Sequence, residues 1–296
     1  MSYENKRVVA IFAHNEAENI IACLNSVKRE IRSGDECYVL NNGSCDNTEE
    51  LVSDFSKENE WCNLVSIEIG DKANAWNVFC HQLRVQAALF IFLDGDCVVA
   101  KNSFDALELC MSNNPSVNAV AGLPAEYCSQ KNREEMLVSG GLAGNLYALS
   151  QEFVARIRKE GIFLPIGLIG DDSLVGSLAY WNLNPRNDWD KSKIVNCEDA
   201  NFAYRRLSLL SFSDIKMYWK RKIRYSLRRY QNILIGFRLK VGGVSAMPKN
   251  IEEIYHDYPS VLRLKWRGVD TWFDFLALRR VAREIESRRG YFVGGG

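Results

Sequence analysis

The first hundred residues alternate between short apolar runs and stretches with helical spacing. Val8-Val9-Ala10-Ile11-Phe12 reads as a buried strand. The segment from about Glu16 to Arg29 then places Ile20, Cys23, Leu24 and Val27 on one face of a helix. Glu36 to Leu40 reads as the next strand. Asn41-Asn42-Gly43-Ser44 is rich in turn formers, and a helix is expected from near Asp46, with Glu49 and Glu50 in its first turn. Leu64 to Ile69 is strand-like, Lys72 to Ala88 helical, and Leu89 to Leu93 is a further continuous apolar run. Such runs suit parallel strands buried on both faces, with helices as crossovers. The pattern predicts an α/β fold with a doubly wound sheet, its ligand site at the carboxyl ends of the strands. Gly140-Gly141-Leu142-Ala143-Gly144-Asn145 leads into a strand-like Leu146 to Leu149 and a helix capped by Ser150. After Ser213 the spacing is helical. The expected organisation is an α/β domain over residues 1–212 and a helical region over 213–296.

Composition narrows the class. With 47 % apolar and 25 % charged residues in 296, disordered and collagen-like chains are set aside. Nine cysteines lie scattered with no C-x-x-C pair, which fits a reducing compartment better than a disulfide-stapled, secreted one. The polar start (Ser2, Glu4, Asn5, Lys6, Arg7) shows no signal peptide, and no apolar run approaches the ~20 residues that span a bilayer. The expectation is a cytoplasmic protein.

The zero net charge hides a division. Met1 to Asp214 carries 19 Lys/Arg against 30 Asp/Glu, whereas Ile215 to Ile251 carries ten basic residues and no acid. In that block Lys216, Lys220, Arg221, Lys222, Arg224, Arg228 and Arg229 interleave with Met217, Tyr218, Trp219 and Tyr225. The pattern fits a helix packed on the acidic domain or a lid over an anionic ligand. It also fits a segment lying on an anionic membrane at the inner face. No nucleic-acid-binding signature accompanies the charge, so no nucleic acid is expected.

The chemistry gathers at Phe90-Ile91-Phe92-Leu93-Asp94-Gly95-Asp96. Two carboxylates flanking a glycine after a buried strand can present oxygen to a hard divalent cation, which protein sites of this kind share with substrate phosphates. Alone, the same triplet also describes a solvated turn. The first loop holds no glycine, so dinucleotide oxidoreductases lack their fingerprint and nucleotidyltransferases, which carry a glycine-rich first loop, recede. Three histidines without an H-x-H pair give no histidine-assisted metal site.

Five motifs in order resemble the inverting glycosyltransferases of the GT-A fold, family 2, over roughly residues 7 to 210. They are Phe12-Ala13-His14-Asn15-Glu16, Val39-Leu40-Asn41-Asn42-Gly43-Ser44-Cys45-Asp46-Asn47-Thr48, Asp71-Lys72-Ala73-Asn74-Ala75-Trp76-Asn77, the pair Asp94 and Asp96, and Asp171-Asp172. The resemblance implies a mixed sheet flanked by helices with a helical C-terminal appendage. It implies a donor-binding half over about residues 1–100 and an acceptor half over about 100–212. The donor would be a nucleotide sugar, most simply a UDP-sugar, and the acceptor a glycan or glycolipid hydroxyl.

By the same resemblance Phe12, Ala13, His14 and Glu16 border the nucleotide. Asn41 accepts from the base where relatives carry Asp, and Lys72 and Asn74 stand at the diphosphate. Asp94 and Gly95 touch the ribose, and Asp96, with Asp94, holds Mn²⁺ or Mg²⁺. Asp172 is the general base and Asp171 orients the acceptor, on the side of the site away from the nucleotide. The alternatives are a domain that binds nucleotide sugars without turnover, against which Asp94, Asp96 and Asp172 speak, and a nucleotidyltransferase on a similar sheet.

Overall fold

The computed structural model describes residues 6–205, 211–258 and 260–293. The polar residues 1–5 and the end of the motif-bearing region, 206–210, lie outside them. The chain forms two compact units, Met1–Ile162 with Asp171–Arg205, and Phe163–Gly170 with Arg206–Gly296.

The first unit is built on one mixed sheet of eight strands. Strand β1 (Arg7–Ala13) is buried along its whole length, as a strand covered on both faces must be. Parallel to it run β2 (Glu36–Asn42) on one side and β4 (Leu89–Asp94) on the other, with β3 (Cys62–Ile67) beyond β2. The chain leaves β1 first toward β2 and later returns to its opposite side through β4. A crevice opens at such a reversal, outside the carboxyl ends of the strands. Register places Ala13 beside Asn41 and Phe12 beside Asp94 at that end.

The sheet then continues through β7 (Leu146–Ser150), antiparallel to β4, to β6 (Ala119–Pro124), β8 (Ile194–Tyr204) and β5 (Cys97–Val99). Helices α1 (Ile20–Lys28), α2 (Thr48–Lys57), α3 (Lys72–Asn77), α4 (Ser103–Asn113), α5 (Glu126–Ser139), α6 (Gln151–Glu160) and α7 (Asp171–Tyr180) accompany it. The Ser150 hydroxyl caps α6 by accepting from the Phe153 amide at 3.2 Å, as the sequence predicts.

Two predicted helices differ. The first begins at Ile20 rather than Glu16 because Asn15 adopts φ 55° and the next amides are committed elsewhere. Glu16 N–H donates to Thr48 Oγ1 and Ala17 N–H to Asp46 Oδ2, which ties the first loop to the entrance of α2. The helix expected to reach Ala88 stops at Asn77, continues as a π-helical turn over Val78–Leu83, and ends at Arg84 with φ 48°. Arg158 satisfies the carbonyls left there, donating to Cys80 O at 2.6 Å and Val85 O at 2.9 Å.

The second unit rests on two long helices, α8 (Phe212–Gly242) and α9 (Asp270–Val293). Asp274, fully buried on α9, is paired with Arg229 and Arg267. Ile166 bridges to Asn250, which brings the apolar loop 163–170 into this unit. Among the described residues no helix is long and apolar enough to cross a membrane.

Candidate active site

Lys72 stands at the centre of the site. Asp71 caps α3 by accepting from the Asn74 amide at 2.7 Å, and this holds Lys72 at the first helical position. Its ammonium lies 2.6 Å from Asp94 Oδ1, 3.5 Å from Asp171 Oδ2 and 5.4 Å from the Phe12 ring centroid. Burial disfavours a charged lysine, but the carboxylates of Asp171, Asp94 and Asp172 outweigh it and hold its pKa well above the ordinary value. Asp94 is lifted as well, toward its neutral form. Burial and the neighbouring Asp96 raise its carboxyl to about 7, against the pull of Lys72.

Asp171 and Asp172 open α7 and are both buried. Asp172 Oδ2 accepts from the Gly144 amide at 3.2 Å, which fixes the orientation of that carboxylate. A Cβ on Gly144 would stand 3.3 Å from both Asp172 Cγ and Lys72 Nζ, so the backbone here approaches more closely than a side chain allows comfortably. The sequence reading sets the Asp171-Asp172 pair apart from the diphosphate lysine. The structure instead joins them through that lysine, a contact between α3 and α7 that no local pattern announces.

At the end of β2, Asn41 is buried and its Nδ2 donates to Glu49 Oε2 at 2.7 Å. Ser66 Oγ donates to the other Glu49 oxygen at 2.7 Å, so the carboxylate is held from two sides. The amide nitrogen of Asn41 is therefore committed, and its Oδ1 is buried without a partner among the described residues. A buried acceptor left unpaired costs about 1–3 kcal/mol, which an N–H of a bound base would recover. His14 is exposed, and its Nδ1 donates to the Asn42 carbonyl at 2.6 Å, so the ring lies beside this patch. Glu16 sits ahead of α1 rather than in it. Burial lifts its carboxyl above the usual range, opposed by Asn19 and reinforced by Asp96 and Asp46.

The donor set for a metal is small. Asp94 and Asp96 flank Gly95, whose amide donates to Phe12 O at 2.8 Å and whose Cβ, if present, would meet that oxygen at 3.0 Å. Among the described residues no three acids, histidines or cysteines gather as a metal cage. Two hard carboxylates fit a divalent cation that takes its remaining ligands from phosphate oxygens. Asn74 contributes its amide to the cap, and among the described residues its side chain bonds to none of the cluster.

Glu49 and an aromatic platform carry no signal strong enough to single them out in advance, whereas Gly144 belongs to the glycine-rich stretch Gly140–Asn145 that stands out in the sequence ahead of β7. Phe92 stacks on Tyr147 with centroids 4.8 Å apart, and Phe12 and Trp76 each lie 6.3 Å from it. These rings form an apolar base at the ends of β1 and β4, and the Phe12 ring at its edge faces the Lys72 ammonium.

The family described as Glycosyl transferase family 2 matches residues 8–210. Poly-beta-1,6-N-acetyl-D-glucosamine synthase of Staphylococcus epidermidis is 31 % identical over 112 residues, 38 % of this chain and 26 % of that protein. Glycosyltransferase AglE of Haloferax volcanii is 38 % identical over 92 residues, 30 % of each. The chain thus matches less than a third of the length of these relatives. In structure it is similar to mannosyltransferase PcManGT from Pyrobaculum calidifontis in complex with GDP-Man and Mn²⁺, with TM-score 0.63 at 16 % identity. That match covers 98 % of this chain and 76 % of the other. It is also similar to S. aureus TarS 1-349 in complex with UDP-GlcNAc, with TM-score 0.51 at 13 % identity over 96 % and 92 %. At those identities the likeness is one of fold. The family match extends over most of the chain and over every motif that builds the site, and the chain belongs to glycosyl transferase family 2.

Proposed function

We propose that this glycosyltransferase moves a sugar with inversion from a nucleoside-diphosphate sugar, a UDP-sugar in the first instance, to a hydroxyl of a glycan or glycolipid. The observation that carries the reading is the convergence of Asp94, Asp171 and Asp172 on the Lys72 ammonium at the sheet's switch point. A diphosphate brings two or more negative charges to that ammonium and competes with the carboxylates for it. Asn41 Oδ1 offers an acceptor to the imide N–H of uracil, with Glu49 holding the amide the right way round.

Asp96 and Asp94 would hold a Mn²⁺ or Mg²⁺ ion, which when bound would neutralise charge on the leaving diphosphate. Asp172 takes the proton of the acceptor hydroxyl as its oxygen bonds to the anomeric carbon and the bond from that carbon to the diphosphate breaks, and Asp171 orients that hydroxyl. General-base assistance of this kind contributes roughly 10²–10⁴ in rate. The Gly144 amide keeps the Asp172 carboxylate aimed between substrates.

The reading is tested by measuring release of free nucleoside diphosphate from a panel of UDP- and GDP-sugars, with and without Mn²⁺. Turnover confined to one donor class and stimulated by the metal supports it. Binding without release from any donor, in the presence of glycan and glycolipid acceptors, contradicts it.

A further inference from the structure

The C-terminal unit presents two features that glycosyl transfer does not use. The first is a basic cleft between α8 and α9. Lys220, Arg224, Arg279, Arg280 and Arg283 ring a cavity of about 450 Å³, with Ile223 and Leu276 as its apolar lining. The spacings 220, 223, 224 and 276, 279, 280, 283 put each set on one face of its helix. The acids nearby are engaged: Asp270 holds Lys222, Asp274 holds Arg229 and Arg267, and Glu284 holds Arg280. Among the described residues Lys220, Arg224, Arg279 and Arg283 form no ion pair.

The second feature is an apolar segment that turns outward just before and within the first turns of α9. Trp266 is 86 % exposed, Val269 82 % and Trp272 55 %, and Leu264 and Phe275 are exposed as well. Two indoles and three other large apolar side chains within twelve residues are more than scattered surface hydrophobics. On α9, positions 272, 276, 279 and 283 follow helical spacing, so the indole of Trp272 and the arginines of the cleft fall on one stripe. Met217, Tyr218 and Tyr225 add exposed apolar surface on α8 beside its cations.

Aromatic side chains that are half apolar and half polar, set beside arginines, are the composition of a surface that sits at the headgroup level of a bilayer. We propose that the α8–α9 face of the C-terminal unit docks on an anionic membrane surface. The cleft takes a phosphate headgroup and the Leu264–Phe275 segment enters the interface. The ligand is identified by its chemistry, an anionic phospholipid: a soluble phosphate would satisfy the cleft alone and leave the outward indoles without a partner. The docking does not depend on the reaction assigned to the first unit.

The test uses the full chain and vesicles of phosphatidylcholine alone or with about 30 % phosphatidylglycerol, a surface to which each nearby Lys or Arg adds about fivefold in partitioning. The expected result is co-sedimentation with the anionic vesicles only, weakening as salt shortens the screening length below about 8–10 Å. Arg279→Ala with Arg283→Ala should lower the partition coefficient about 30-fold. Trp266→Ser with Trp272→Ser should weaken binding while leaving its salt dependence unchanged. All four side chains are exposed, and circular dichroism separates lost binding from lost fold. Equal binding to both vesicles, binding to neither, or indifference to both variant pairs would overturn the proposal. So would displacement from vesicles by millimolar inorganic phosphate, or tighter binding to a single-stranded oligonucleotide than to the anionic vesicles.

Discussion

Replacing Lys72 by glutamine removes the ammonium and keeps a polar side chain of similar reach. Breaking a fully buried ion pair by deleting one partner costs about 3–5 kcal/mol, and an exposed pair is worth at most about 1. The Lys72 and Asp94 side chains are 28 % and 26 % exposed, so the cost at pH 8 should fall between, at about 2 kcal/mol. In a unit of this size that corresponds to about 4–8 °C in the melting temperature.

The loss should depend on pH with a definite sign. Asp94 titrates near 7 in the folded protein, above its unfolded range, so its contribution to stability is present at low pH and is lost as pH rises through about 7. Lys72 pulls that pKa down, and without it Asp94 holds its proton to higher pH still. At pH 6 the carboxyl is largely neutral in both proteins and the ammonium has less to stabilise, so the variant should lose less than half as much. The 3.5 Å contact to Asp171 is lost at either pH and sets the residual. Thermal melts of both proteins at pH 6 and pH 8 decide the matter. A loss at pH 6 equal to or larger than that at pH 8 would refute the assignment of Lys72 as counter-ion of Asp94.

Mn²⁺-dependent nucleotide binding should weaken about tenfold per pH unit below about 7, because Asp94 must be ionised to serve a cation; calorimetry showing no change between pH 8 and pH 6 would contradict this. Gly144→Ala places a Cβ 3.3 Å from Asp172 Cγ and Lys72 Nζ and should lower kcat by roughly tenfold or more with little change in melting temperature, since small misplacements at reacting groups are costly. Asn41→Asp sets a second carboxylate against Glu49 at the 2.7 Å contact and should destabilise by about 1–3 kcal/mol and weaken donor binding. Adding Glu49→Gln should restore both, and a double variant no better than the single one would break the proposed Asn41–Glu49 pairing.

The parallel half of the sheet was legible because its strands are continuous apolar runs, and β1, β2 and β4 are buried nearly throughout. In the antiparallel half β7 was legible as the strand-like Leu146 to Leu149, but β6 and β8 were not. β8 mixes Asn196, Glu198, Asp199 and Asn201 into eleven residues, and β6 carries a glycine and ends in proline, so neither shows a strand period. Arg7 reads as part of a polar lead-in, yet it is fully buried. It is closed off by Asp35 at 2.6 Å, Asp105 at 2.7 Å and the Glu30 carbonyl at 2.6 Å. Charge in a sequence signals exposure unless a distant partner is known. The site divides along the same line. Asp94-Gly95-Asp96 announces itself because local order, a strand followed at once by acids, is what a sequence records. The meeting of Lys72 with Asp171, and of Asn41 with Glu49, depends on how helices cross the strand ends, and that is tertiary information.

Single-turnover transfer by Asp172→Asn, measured together with donor affinity, tests the central claim most directly. The amide keeps the shape and can still accept from the Gly144 amide, but it cannot take a proton. Transfer should be slower by two to four orders of magnitude, about 3–5 kcal/mol in barrier, with donor binding within a few-fold of the parent. Asp171→Asn, which removes a carboxylate from Lys72, should shift acceptor and donor binding more and transfer less. Near-normal transfer by Asp172→Asn, or slow transfer explained wholly by lost donor binding, would contradict the role of Asp172 as the base.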